Sequence, residues 1–129
     1  MIKFHTAKEA VPGSHSLPLL AGDLLILLTS VEVPAHSHED HLTLEASVKW
    51  GRPSGRDIGQ LDLFLCRDEH PPVLLAELDA NCFVVTETPL EYEGPCHTEG
   101  SVFYSLRARS YDERALILGP VRLSATVEG

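Results

Sequence analysis

The segment HLTLEASVKW, residues 41 to 50, alternates apolar and polar residues without a break. Its apolar positions are Leu42, Leu44, Ala46, Val48 and Trp50. Successive side chains of a β-strand point to opposite faces of the sheet, so this period of two predicts a strand with one buried and one solvated face. A solvated face is typical of antiparallel sheets, because parallel sheets are covered on both sides.

Similar segments recur along the chain, separated by turns rich in Gly, Pro, Asp and Asn. The further predicted strands are residues 23–33, 61–67, 73–78, 82–88, 102–110, 115–118 and 121–127, with a long loop between 88 and 102. The only helix-compatible stretch, HTAKEA at 5–10, is too short to be stable alone in water. About eight short strands joined by such turns predict an all-β fold, an antiparallel β-sandwich of jelly-roll or immunoglobulin-like type.

A chain of 129 residues is the size of one domain. The segment 1–16, which carries Pro12 and Gly13, is predicted to be an N-terminal arm outside a sandwich formed by residues 17–129. The arm could pack on its own sheet or add a strand to an exposed edge of a neighbouring subunit.

The charge balance excludes some classes of partner. The chain contains ten basic and 19 acidic residues, which gives a net charge of -9 with histidines neutral. Phosphate binding needs a clustered basic face, and Arg107, Arg109 and Arg114 are too few for one, so no nucleic-acid partner is expected. The longest apolar run, LLILL at 24–28, is too short to span a bilayer, so membrane insertion is not expected either. No leader peptide is predicted at the N-terminus, and the cellular location stays open.

Three cysteines, Cys66, Cys82 and Cys96, occur without a CxxC pair. The favoured interpretation is that they are small buried apolar residues. The alternative is a disulfide within or between subunits, for which Cys82 and Cys96 are the candidates.

Three histidines and two acids precede the alternating strand in the segment PAHSHEDH, residues 34–41. His36 and His38 are two positions apart, so an extended backbone would point both side chains the same way. Together with His41 or His97 they could bind a divalent metal ion. A solvated polar turn is the more common fate of such a cluster and is the favoured interpretation.

The segment VPAHSH also resembles the first metal motif of the cupins, a proline-containing strand end that supplies His-x-His. GPCHTEG, with His97, contains the residue types of the second cupin motif in a different order. The resemblance implies a metal-dependent enzyme acting on a small molecule, with His36, His38 and His97 as metal ligands. It covers about a tenth of the chain, and the glutamate expected near Leu42 or Thr43 is missing.

A second resemblance covers most of the chain. The order of LTLEASVKW, LDLFLCRD, FYSLRARS and GPVRLSATVEG is similar to that in a group of small all-β proteins from spore-forming bacteria. It implies a structural subunit of the spore or cell surface. The chain lacks the paired N-terminal cysteines of spore-appendage subunits.

The favoured functional hypothesis is a non-enzymatic structural subunit that assembles with copies of itself into a homo-oligomer, shell or filament. It requires no cofactor, whereas the cupin-like alternative requires a divalent metal ion. Sheet edges and the arm would make the contacts, through Ile2, Phe4, Leu24, Leu25 and Leu27. The remaining alternative is a carbohydrate- or host-binding β-sandwich module that uses three loop residues, Tyr92, His97 and Tyr111.

Overall fold

The computed structural model describes residues 1–13 and 16–129. It contains nine strands and one short 3₁₀ turn, Tyr111–Glu113. The strands are β1 (Ile2–Ala10), β2 (Leu19–Ala21), β3 (Ile26–Val33), β4 (His41–Gly51), β5 (Gly59–Arg67), β6 (Val73–Cys82), β7 (Val85–Pro95), β8 (Val102–Arg109) and β9 (Ala115–Glu128). In the described residues there is no helix long and apolar enough to cross a bilayer.

The strands form two antiparallel sheets. Sheet A has the order β1-β9-β4-β7, and the short β2 also pairs with β9. Sheet B has the order β3-β8-β5-β6. The predicted antiparallel β-sandwich is therefore confirmed, with nine strands where the sequence predicts about eight.

The core lies between the two sheets and follows from the alternation. Leu42, Leu44, Ala46, Val48 and Trp50 are all buried on the inner face of β4. Across the layer they meet a second row of buried apolar side chains from sheet B: Val31, Leu61, Leu63, Leu65, Tyr104 and Leu106. Burial of apolar side chains on both inner faces is what makes a two-layer sandwich stable.

The N-terminal segment is not an arm outside the sandwich. Ile2–Ala10 forms β1, which pairs along its whole length with β9 of the same chain, from Ile2 opposite Glu128 to Ala10 opposite Val121. The helix-compatible stretch HTAKEA is thus a strand, because pairing with β9 supplies the hydrogen bonds that a six-residue helix could not secure. The predicted boundary at residue 16 therefore does not separate two structural units, while residues 14 and 15 lie outside the described part of the chain.

Two further strand boundaries differ from the prediction. Most of the expected loop after residue 88 belongs to β7, which runs from Val85 to Pro95 beside β4. It is an edge strand, and an edge tolerates Pro89 because the missing N–H can face away from the ladder. The two predicted closing strands form one strand, β9, which continues through Gly119 and Pro120.

Candidate functional site

The two edge strands of sheet B carry exposed leucines and lack the proline and lysine that often protect such edges. Neither β3 nor β6 has a second neighbouring strand in the described part of the chain. Their sequences, ILLTSVEV and VLLAELDANC, contain no proline, lysine or arginine. An edge strand presents unpaired N–H and C=O groups, and natural proteins usually blunt such edges with proline, charge or a bulge. Each strand has one bulge, between Leu27 and Thr29 of β3 and at Leu75 of β6, and β6 also carries Glu77 and Asp79.

Three of the predicted assembly residues lie at the β3 edge and are exposed. Leu24, Leu25 and Leu27 are 81%, 48% and 54% exposed, and together with the free edge of β3 they form what we call the β3 rim. The other two predicted residues lie on β1. Ile2 is exposed, but Phe4 packs against the core of its own chain, with its ring centroid 5.8 Å from that of His36.

The opposite edge forms a second apolar rim, which the sequence analysis missed. Leu74 and Leu78 are exposed on β6, and with the free edge of that strand they form the β6 rim. Leu78 lies opposite the fully buried Leu63, so the inner face of sheet B is incompletely covered at this edge. The hairpin that follows adds three exposed apolar side chains, Phe83, Val84 and Val85. The signal in the sequence is the apolar run CFVV, which we interpreted as part of a strand.

Sheet A differs from sheet B at its edges. Edge strand β7 contains Pro89 and ends in Pro95, and the other edge strand, β1, carries Lys3 and Lys8 and has a bulge near its start. Proline, lysine and bulges all discourage the addition of another strand. Bulges occur in both sheets, but of the edge strands only those of sheet A contain proline or lysine, so the rims of sheet B are better suited to edge pairing.

The histidines predicted as metal ligands do not converge as a set. The backbone N–H of His36 donates to the carbonyl of His97 at 3.0 Å, so the two segments that carry the three histidines are adjacent. The ring of His36 is turned back on its own loop, with Nδ1 2.7 Å from the carbonyl oxygen of Pro34. Within residues 1–13 and 16–129, no group of three or more His, Cys, Asp and Glu side chains could hold a metal ion, so His38 does not complete one.

The cysteines predicted as disulfide candidates are unbonded. Cys66, Cys82 and Cys96 are free and buried, and burial raises the pKa of each thiol. Cys82 precedes the eleven-residue strand β7 and Cys96 follows it, so the length of an extended strand separates them. A disulfide requires Cα atoms within about 7 Å, and this pair cannot meet that condition.

The outer face of sheet B carries a cluster of polar and aromatic side chains around Arg109. The antiparallel register of β5 and β8 places Arg109 opposite Asp62, with 3.4 Å between Nε and a carboxylate oxygen. The guanidinium lies over two aromatic rings, 5.1 Å from the centroid of Phe64 and 5.2 Å from that of Tyr111. Seven residues line a depression of about 400 Å³ here, which we call the Arg109 face: Asp62, Phe64, Glu77, Leu78, Asp79, Arg109 and Tyr111.

Gln60 links the parts of the Arg109 face. Its side-chain amide donates to Asp62 at 2.9 Å and to Asp79 at 3.2 Å, and its side-chain oxygen accepts from the backbone N–H of Tyr111 at 3.0 Å. Burial raises the pKa of the Asp62 carboxyl and the negative charge of Asp79 adds to this, while Arg109 opposes both. The polar groups are therefore held by one another before any ligand arrives.

The three residues predicted for a binding site, Tyr92, His97 and Tyr111, do not all lie in loops. Tyr92 lies on β7 opposite Leu44 and packs against the core. Tyr111 is exposed and belongs to the Arg109 face. A second depression, of about 440 Å³, crosses the outer face of sheet A, where Glu45 lies opposite Glu91 and no aromatic residue lines the surface.

Comparison with known proteins bears on the fold. No protein-family model matches the chain, and no curated protein does. The dimeric latent PorU of Porphyromonas gingivalis is similar over 97% of this chain, with 10% identity and a TM-score of 0.51, and the chain spans only 13% of that structure. A CBM4 structure is similar over 77% of this chain, with 8% identity and a TM-score of 0.36. An arabinose-bound GH51 α-L-arabinofuranosidase is similar over 95% of this chain, with 17% identity and a TM-score of 0.33. The match covers 58% of the CBM4 chain and 22% of the arabinofuranosidase. The chain is a β-sandwich module, and the similarity to the PorU structure concerns its fold alone.

Proposed function

We propose that this protein is a non-enzymatic structural subunit that associates with copies of itself through the two rims of sheet B. The observation that carries the proposal is that exposed leucines lie at both edges of sheet B, which contain no proline or lysine, while the edges of sheet A carry proline and lysine. A place on a spore or cell surface would suit such a subunit.

The β3 rim offers both contributions that edge association needs. Its strand has unpaired backbone groups that another strand can satisfy. Leu24, Leu25 and Leu27 offer apolar area, and burying such area is worth roughly 25 cal/mol per Å². A monomer would leave this surface in water, which is unfavourable for a contiguous apolar patch.

Strand direction favours contact between unlike rims. All pairings in sheet B are antiparallel, so β3 and β6, the first and fourth strands of the sheet, run in opposite directions. A second copy in the same orientation would therefore set its β3 antiparallel to β6 of the first, and sheet B would continue across the contact. Such a head-to-tail interface generates a ring where the rotation closes and a filament where it does not.

Sedimentation velocity of the full chain tests the proposal. We expect the wild type to form species larger than one chain at about 0.1 mM, a concentration that reveals even weak contacts. The combined substitution Leu24→Lys, Leu25→Lys and Leu27→Lys should shift the protein to a monomer, because it places three charges on the β3 rim. Phe103→Lys is the matched control, since Phe103 is 48% exposed but lies on the central strand β8.

Two results would contradict the proposal. One is a wild type that stays a single chain across the whole concentration range. The other is an oligomer that persists in the triple lysine variant, or that Phe103→Lys dissociates to the same extent as the triple lysine variant does. Circular dichroism of each variant establishes that the sandwich is still folded.

A further inference from the structure

The Arg109 face combines hydrogen-bond donors and acceptors in one shallow depression. Arg109 supplies guanidinium donors, and Glu77 and Asp79 supply carboxylate acceptors from β6. The depression of about 400 Å³ is in the range of roughly 300–1,000 Å³ that small-molecule sites occupy. Its size therefore suits a small ligand.

Aromatic rings form the apolar part of the same surface. Phe64 and Tyr111 flank the guanidinium of Arg109, and Tyr111 remains 52% exposed despite this contact. An exposed aromatic ring offers a flat apolar surface with a polar hydroxyl at one end. A ligand with its own flat apolar face could stack on Tyr111 while its polar groups reach the carboxylates.

The site is also organised in advance. Gln60 fixes Asp62 and Asp79 through its amide and anchors the backbone of Tyr111 through its oxygen. The guanidinium of Arg109 is held between Asp62 and the two rings. Asp62, Asp79 and Arg109 therefore have little side-chain freedom to lose on binding, and such preorganisation favours affinity.

The charge arrangement selects among classes of ligand. Three carboxylates would repel an anion, and a cation would lie against Arg109 without being able to use its donors. A hydroxyl group both donates and accepts, so it can match a surface where donors and acceptors alternate. We propose that the Arg109 face binds a neutral saccharide, whose hydroxyls donate to Glu77 and Asp79 and accept from Arg109 while one ring face packs on Tyr111.

Titration calorimetry and chemical-shift mapping with named sugars test this proposal. The probes are cellohexaose, xylohexaose, mannohexaose and chitohexaose, with oligogalacturonate as the anionic arm and chitosan oligomers as the cationic arm. We expect at least one neutral hexasaccharide to bind and to shift the amide signals of Tyr111 and Asp79. Tyr111→Ala should weaken that binding at least about tenfold, because it removes the stacking surface.

The control is Phe103→Ala, which removes another half-exposed aromatic ring from sheet B, outside the depression. It should change the affinity less than about twofold. The proposal is overturned if none of the four neutral sugars binds, if a charged oligomer binds in preference, or if Phe103→Ala weakens binding as much as Tyr111→Ala does. Leu78 belongs to both the Arg109 face and the β6 rim, so the titrations are repeated with the variant that carries lysine at positions 24, 25 and 27, which leaves the Arg109 face unchanged. Sugar binding by that variant separates this proposal from the proposed self-association.

Discussion

The indole N–H of Trp50 donates a hydrogen bond of 2.8 Å to the hydroxyl of Thr88, and both residues are buried. The bond joins β4 to β7 at the inner face of sheet A. It runs diagonally, because the residue directly opposite Thr88 is Val48, two positions before Trp50. A buried donor without a partner costs about 1–3 kcal/mol. Thr88→Val should therefore lower the free energy of unfolding by about that amount, because valine keeps the shape and removes the acceptor.

Urea denaturation measures this loss, and Thr88→Ser is the control because it retains the hydroxyl. We expect Thr88→Ser to be the more stable of the two variants. If Thr88→Val is as stable as Thr88→Ser or more stable, the hydrogen bond does not stabilise the protein as the geometry indicates.

The ion pair between Lys3 and Asp40 should make stability depend on pH in the acid range. Lys3 Nζ lies 2.8 Å from a carboxylate oxygen of Asp40, and the hydrogen bond from Lys3 holds the pKa of that carboxyl below its ordinary value. A carboxyl whose pKa is lowered by folding stabilises the protein above its unfolded pKa, and the contribution is lost as the pH falls through the folded pKa. Asp40→Asn should therefore be less stable than wild type at about pH 7, and the difference should shrink near about pH 3.

Urea midpoints at the two pH values provide the measurement. Glu39→Gln is the control, because Glu39 is an exposed neighbouring carboxylate without an ion pair among those found in the described residues. A difference between wild type and Asp40→Asn that stays constant with pH would contradict the assignment.

Gly59 should not tolerate a side chain. A Cβ at this position would lie 2.9 Å from the ring of Trp50 and 3.1 Å from the sulfur of Cys82. Both neighbours are buried, so Gly59→Ala should cost about 1–3 kcal/mol of stability through overpacking. At Gly22 the nearest atom, on Glu113, is 3.5 Å away, which is an ordinary contact. Gly22→Ala should thus shift the thermal midpoint much less, and equal shifts would refute the packing argument.

The three thiols should react slowly while the protein is folded. Burial raises the pKa of Cys66, Cys82 and Cys96, which disfavours the reactive thiolate. In native protein at about pH 8, a colorimetric thiol reagent should modify few of the cysteines. In protein unfolded without a reductant, the same reagent should modify all three cysteines. Fewer than three reactive thiols in the unfolded, unreduced protein would reveal a disulfide.

Variants blocked at one rim distinguish the two ways in which copies could pair. The β3-blocked variant carries the three lysines described above, and the β6-blocked variant carries Leu74→Lys and Leu78→Lys. For head-to-tail contact between unlike rims, each variant alone should be a monomer, because every contact needs both rims. An equimolar mixture should form a dimer, because each variant keeps the rim that the other lacks.

A two-fold contact between like rims gives a different pattern. If β3 paired with β3 of the partner, the β6-blocked variant alone would still dimerise and mixing would add nothing. Sedimentation of the two variants and of their mixture decides between the arrangements. Leu74→Lys alone serves where the double substitution lowers the folded fraction, since Leu74 is half exposed.

The class of fold and much of the core could be predicted from the local pattern of residues. The period of two from Leu42 to Trp50 is a local property that any pleated strand reproduces, and these five side chains are buried as the pattern predicts. The exposure of Leu24, Leu25 and Leu27 could also be predicted. In a stretch of successive apolar residues the side chains point to both faces of a strand, and the inner face of the sheet can bury only half of them.

The positions of the sheet edges and the contacts between distant residues could not be predicted in this way, because they depend on which strands pair. β1 and β7 lack a clear local pattern, and they are strands because their long-range partners β9 and β4 supply the hydrogen bonds. Asp62 and Arg109 are 47 positions apart, and they meet because β5 and β8 pair in one particular register. Register depends on how whole strands pack against one another, so a local sequence pattern does not contain it.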